Sequence, residues 1–304
     1  MGDGTRVASG IDVSRLREWW ANPWGKPRFL AGFTWLYIVW SLAPVAIAIL
    51  FSFNAGRSRS VWQGFSMRWY WGDPNQSVLH DPTLRNALEQ SLKLAAFDIA
   101  IAVPIGVMLA IGLTRWRGYG SRPVNYLMLF PLVTPEIVMA VALLLVFVTL
   151  YGVALGTTAQ VLGQVTFSIS YVVLIVRGRL LSIGPEYEEA AADLGATPLE
   201  GLFLVLCRLL APAIFASAAV VFALSIDDFV VTDYLSSDAS TQTVPILIYS
   251  TVRGTVTPAL NALATVMVVS TLLMIGLAFL VYRRFAREQR GVQESVSQIA
   301  ALDV

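Results

Sequence analysis

Hydrophobic positions in this chain run in long unbroken blocks rather than alternating with polar ones. Apolar stretches near 29–54, 87–114, 124–151, 159–181, 208–233 and 259–282 each hold about 20 residues or more, enough to cross roughly 30 Å of hydrocarbon as helix. The pattern predicts an all-α integral membrane protein with six transmembrane helices. A membrane domain over 29–283 is then flanked by tails at 1–28 and 284–304, with a polar loop at 182–207. The first block follows 28 mostly polar residues and has no small-residue cleavage site, so it is expected to stay as an anchor. In the first tail, Val13, Leu16, Trp19 and Trp20 among Arg15, Arg17 and Glu18 read as an amphipathic interfacial helix.

The distribution of basic residues sets orientation. With the N-terminus inside, the inner segments hold Arg6, Arg15, Arg17, Lys26, Arg28, Arg115, Arg117, Arg122, Arg177, Arg179, Arg208, Arg283, Arg284, Arg287 and Arg290. The outer ones hold Arg57, Arg59, Arg68, Arg85 and Arg253. This bias puts both termini in the cytoplasm. Composition agrees with a membrane setting: 56% of residues are hydrophobic, 13% are charged and the mean hydropathy is +0.67. A net charge of +1 gives no sign of nucleic-acid binding.

One cysteine, Cys207, and one histidine, His80, cannot build a disulfide or a multi-ligand metal cluster, and no nucleophile–base set is visible. The glycine-rich GxxxxGK[ST] cradle that holds nucleotide phosphates is absent from the sequence. Any ATP and Mg used would be bound by another chain, and this one is expected to be no enzyme and to carry no cofactor.

The polar loop is the most informative stretch. Residues 185–198 read PEYEEAAADLGATP. Pro185 suits a first helical position, Glu186, Glu188 and Glu189 favour the positive end of the helix dipole, and Gly195 supplies a left-handed stop. Tyr187, Ala190, Ala191 and Leu194 recur at helical spacing to give one apolar, alanine-rich stripe. Thr197 and Glu200 then form a capping-box pattern with Pro198 between them. A short helix tied at both ends to spans is a lever; its acidic polar face is a poor match for anionic lipid headgroups.

Within the spans, ionisable residues mark a pathway by default. Glu136 sits near the midplane beside Pro131 and Pro135, which should break or kink the third span. Asp227 and Asp228 lie toward the outer end of the fifth, and Asp98 near the middle of the second. Each acid has an alternative role in a structural pair. Tyr171, Ser168 and Gln164 could line a route or join helices by hydrogen bonds. Trp62, Phe65, Trp69, Tyr70 and Trp71 read as an aromatic belt at the outer interface.

Glu189-Ala190-Ala191, three residues and then Gly195 resemble the EAA loop of permease subunits of ABC importers. The stretches WQGFSMRWY (62–70), TPEIVMA (134–140), ALSIDDFVV (223–231) and VPILIYSTVRGTVTPALNALAT (244–265) are similar to spermidine/putrescine permeases, specifically the second of their two membrane subunits. The resemblance implies a type I importer (MetI-like) fold in the bacterial cytoplasmic membrane. It also implies a coupling helix in which Glu188, Glu189, Ala190, Ala191, Leu194 and Gly195 meet an ATPase. Implied partners are a homologous permease, two ATPase subunits and an extracytoplasmic binding protein that docks near 241–257. The implied cargo is a polyamine, passing Glu136, Asp227, Asp228 and Asp98. The sequence departs from the family where Cys207-Arg208 replaces a Leu-Pro pair, with proline only at Pro212, so the helix break entering the fifth span is expected about one turn late. Open alternatives are another small amine, an amino-acid derivative or an ion as cargo, an ATP-independent channel or carrier, and a membrane-embedded enzyme.

Overall fold

A computed structural model describes residues 28–58, 61–116, 118, 120–252 and 257–300. The interfacial helix expected near Val13 to Trp20 lies outside the described residues, as does the end of the second tail. The described residues are overwhelmingly helical, with one isolated β-bridge between Asn54 and Phe65.

Among the described residues, five helices are long and apolar enough to cross a membrane: Phe29–Ser52, Pro82–Arg115, Thr157–Ile183, Pro198–Asp227 and Pro258–Phe285. These are spans one, two, four, five and six. The third predicted span is not one helix. Its halves, Pro123–Val133 and Glu136–Tyr151, meet at 105°. Proline disfavours helical geometry in the residue before it, and Thr134, preceding Pro135, is extended at φ −71°, ψ 131°. Span five also differs from expectation, running from Pro198 to Asp227 and stopping short of 233. Residue Asp228 is extended, and its Oδ1 accepts from Val231 N at 3.1 Å at the start of a separate short helix, Val230–Tyr234. A side chain that satisfies backbone donors ahead of it competes with continuing the helix. No break occurs at the substituted Leu-Pro position: a wide π-helical turn at Gly201–Leu206 leads directly into Cys207–Asp227, with Pro212 inside.

The chain divides into two compact units, residues 1–48 and 49–304. In the first, span one exposes Phe29, Phe33, Trp35, Leu36, Val39 and Trp40 in every direction. A helix apolar all round is a lipid- or protein-covered helix.

In the second unit, spans two, four and five pack around Val103, Val107, Val172, Val176, Leu180, Leu206, Leu210 and Val221. Gly106 permits this approach, since a Cβ there would sit 2.6 Å from Val172 Cβ. Small residues at helix crossings are how membrane helices gain packing area. A second cluster joins Trp69, Leu84, Ile226, Val244, Leu260 and Leu263.

Buried polar groups tie the elements. Gln90 Nε2 donates to Gln160 Oε1 at 2.9 Å, while Gln160 Nε2 donates to the carbonyls of Thr232 at 2.9 Å and Thr241 at 3.0 Å. Each bond satisfies a group that would be costly to leave unpaired away from water. Trp69 is fully buried, with Nε1 donating to Asn54 O at 2.6 Å, so it belongs to the folded loop and not to an interfacial belt. Trp62, Phe65 and Trp71 remain exposed.

Candidate functional site: an acidic cavity and a helical lever

The helix break at Thr134-Pro135 places Glu136 at the first turn of its helix, where the dipole favours a carboxylate. The turn at Asp228 ends span five beside it. Together with span two and span four, these elements enclose a cavity of about 530 Å³ lined by Asp98, Glu136, Asp227 and Asp228. All four predicted acids therefore face one space, accompanied by Gln164, Phe167, Ser168, Tyr171 and Phe229.

The acids differ in how they are held. Asp228 accepts from Gln164 Nε2 at 3.1 Å on Oδ2 and from Val231 N on Oδ1. Gln164 is itself fixed by Ser225, whose hydroxyl donates to Gln164 Oε1 at 2.8 Å. Asp98 is completely buried, with Ser168 Oγ donating to its Oδ2 at 2.6 Å. Asp227 and Glu136 are exposed. The polar residues of span four thus both join helices and line the cavity.

Among the described residues no cation pairs with these acids: the ion pairs Arg68–Asp73, Arg85–Glu89 and Arg115–Glu188 lie elsewhere, and Lys93 is on an exposed face of span two. No group of three or more metal-binding side chains occurs among the described residues. A larger groove of about 940 Å³, unforeseen from sequence, opens on the other side of Asp227 and is walled by Ile226, Phe229, Val244, Tyr249 and Met267. Its walls come from three separate segments, so no local pattern could mark it.

The polar loop forms a helix over Glu186–Asp193. Pro185 is its N-cap, not its first helical residue, and is already in the αR region at φ −85°, ψ −11°, directly after Gly184 at φ +72°. The exit is a Schellman motif: Ala196 N donates to Ala191 O at 3.0 Å and Gly195 N to Ala192 O at 2.9 Å, with Gly195 at φ +86°. The capping box follows, with Thr197 N donating to Glu200 Oε2 at 2.8 Å.

The structure divides the predicted stripe. Tyr187, Glu189, Ala190, Leu194 and Gly195 face outward, with Leu194 90% exposed. Ala191 turns inward and is buried, approaching Gly201 of the π-helical turn. Glu188 is also on the inner side, where Arg115 at the end of span two donates to it at 3.0 Å and to Gly184 O at 3.3 Å. The six loop residues are therefore not one exposed surface: four face outward, while Ala191 and Glu188 bind the helix to its own protein. Sequence reading missed Arg115 as a partner because 73 residues separate it from Glu188.

Comparison with known proteins agrees with this architecture. The sequence profile described as binding-protein-dependent transport system inner membrane component matches residues 102–291. The chain is 37% identical over 251 residues to the putrescine transport system permease protein PotI of Escherichia coli (strain K12), covering 80% of this chain and 85% of that protein. It is 34% identical over 259 residues to the spermidine/putrescine transport system permease protein PotC of Haemophilus influenzae, covering 84% and 98%. In structure it resembles a chain of a bacterial ABC transporter that imports the acidic polysaccharide alginate, with TM-score 0.65 at 13% identity over 90% of this chain and 98% of that one. The MetNI methionine ABC transporter gives TM-score 0.55 at 17% identity, covering 66% and 93%. A multi-pass helical chain with this loop and these matches belongs to the inner-membrane permease family of binding-protein-dependent ABC transport systems.

Proposed function

We propose that this chain is one permease subunit of an ATP-driven importer that moves polyamines, putrescine or spermidine, across the cytoplasmic membrane by alternating access. The carrying observation is the cavity in which four carboxylates converge, none of them paired with a cation among the described residues. An ammonium entering from water loses hydration, and charge-assisted hydrogen bonds to carboxylate oxygens replace it. The names of the related PotI and PotC proteins, putrescine and spermidine/putrescine permeases, support the same cargo class.

The partners follow from what the chain lacks and exposes. With no nucleotide cradle in its sequence, it depends on two ATPase subunits that carry ATP and Mg. The outward face of Tyr187, Glu189, Ala190, Leu194 and Gly195 is the surface for one of them. A homologous permease completes the pathway, and an extracytoplasmic binding protein delivers the cargo. ATP shifts the equilibrium between inward- and outward-facing states only through a difference in affinity for the two. The lever helix, joined to spans four and five and held to span two through Arg115–Glu188, transmits that difference.

The test is uptake by the reconstituted assembly. Glu136→Gln with Asp227→Asn should reduce polyamine uptake while leaving ATPase association intact. Unchanged uptake kinetics would discard the route. Conversely, Glu189→Lys should weaken ATPase association or substrate-stimulated hydrolysis without affecting insertion. Uptake by this chain alone, without nucleotide, would favour a carrier and overturn the importer reading.

A further inference from the structure

Among the cavity acids, Asp98 alone combines complete burial with an unused oxygen. Ser168 donates its one hydroxyl proton to Oδ2, while Oδ1 is buried with no hydrogen-bond partner among the described residues. Asp228 offers the contrast, since both of its oxygens are already bonded within the protein. Of the donors around it, Gln164 Nε2 serves Asp228 and the Ser225 carbonyl, and Lys93 lies on an exposed face of span two. Buried carboxylate oxygens are ordinarily paired, because an unpaired one forfeits hydration with nothing in return. That oxygen borders the cavity and is open to a donor that enters it.

We propose that Asp98 is an ammonium-binding carboxylate whose Oδ1 receives one amino group of the cargo while the exposed Glu136 and Asp227 receive another. It thereby selects molecules carrying two or more separated positive charges. Ser168 is a positioning residue: by holding Oδ2 it fixes the carboxyl group with Oδ1 free. A compact ammonium suits a single buried oxygen better than a guanidinium, whose planar fork matches two oxygens at once. The inference rests on the polyamine reading above but goes beyond it, assigning a distinct end of the cargo to a residue on span two.

The experiment is uptake by the complete transporter in proteoliposomes, with the binding protein fully loaded and its concentration varied through KM, so that its own selectivity cancels between variant and wild type. The probes are putrescine and its monoacetylated derivative, which carries one ammonium instead of two. Asp98→Asn should raise the KM for putrescine by about tenfold, the effect of one charge-assisted hydrogen bond, and leave the monoacetylated amine unchanged. Ser168→Ala should move in the same direction by a smaller factor. Thermal unfolding of the purified assembly supplies a second readout. A recognition role predicts an unchanged or raised Tm for Asp98→Asn, because an unpaired buried charge has been removed.

An equal loss for both amines, or a lowered Tm with unaltered selectivity, would assign Asp98 a structural role and overturn the inference while leaving polyamine transport standing. Unchanged kinetics with a raised Tm would mean that Oδ1 is satisfied by a proton instead of cargo, which also overturns it. If the wild-type assembly moves no amine, the polyamine reading itself fails, and this assignment with it.

Discussion

The pair Arg115–Glu188 is the link most open to quantitative test, because it fastens the lever helix to a span that is not its neighbour in sequence. The perturbation is Glu188→Ala, Arg115→Met and the two together. Arg115 reaches Glu188 at 3.0 Å, with the two side chains 32% and 31% exposed. Exposed pairs contribute about 0.2–1 kcal/mol, whereas breaking a fully buried one costs about 3–5 kcal/mol. One-third exposure places this pair nearer the lower limit, at a coupling energy of about 1 kcal/mol, or roughly fivefold in any equilibrium that depends on it.

Glu188→Ala should be the more damaging single change, because among the described residues Arg115 Nε is already buried without an acceptor and the guanidinium would keep just the Gly184 carbonyl. The assay is substrate-stimulated ATPase activity of the assembled transporter, evaluated as a double-mutant cycle. Both single variants should lower stimulation by several-fold with ATPase binding retained, and the double variant should lose less than the product of the two. Strict additivity, or wild-type stimulation in both single variants, would refute the idea that this contact ties span two to the lever.

Other substitutions probe separate elements of the fold. Gly195→Val should disable the loop through backbone conformation alone, since Gly195 has φ +86° and nothing stands within 4 Å of a Cβ built there. Left-handed geometry costs an L-residue about 1–2 kcal/mol, and Gly195→Asn should be milder; circular dichroism showing correct insertion with lost ATPase association is the expected signature. Gly106→Ala should lower the Tm of the purified protein, because its Cβ would lie 2.6 Å from Val172 Cβ, and overpacking of this kind costs about 1–3 kcal/mol. In the loop after span one, the Asn75 backbone N–H and then Arg68 hold the Asp73 carboxyl below its ordinary value of 3.8. Its stabilisation is therefore present above pH 3.8 and lost as pH falls through the lower folded value. Trp69 fluorescence should report loosening of this loop in acid for wild type and no such step for Asp73→Asn.

Several features are legible in the sequence because they are local. A run of about 20 apolar residues crosses a bilayer wherever its neighbours lie. Pro135 forces Thr134 out of helical geometry, and the Thr197–Glu200 box closes within four residues. The positive φ at Gly195 likewise answers to its immediate neighbours. Extents and angles are less accessible. The 105° turn within the third predicted span and the end of span five at Asp227 depend on what surrounds each proline or aspartate as well as on the residue itself.

Side-chain direction requires the packed structure. Ala190 and Ala191 are adjacent and chemically identical, yet one faces outward and the other lies against the π-helical turn, since one step along a helix rotates the side chain by about 100°. Ser168 meets Asp98 across 70 residues and Gln164 meets Asp228 across 64, through helix rotations and offsets that the apolar blocks leave undetermined. A uniformly greasy helix can turn about its own axis at little cost in lipid. Its orientation is settled by close crossings such as Gly106 on Val172 and by the polar groups that must find partners once water is gone.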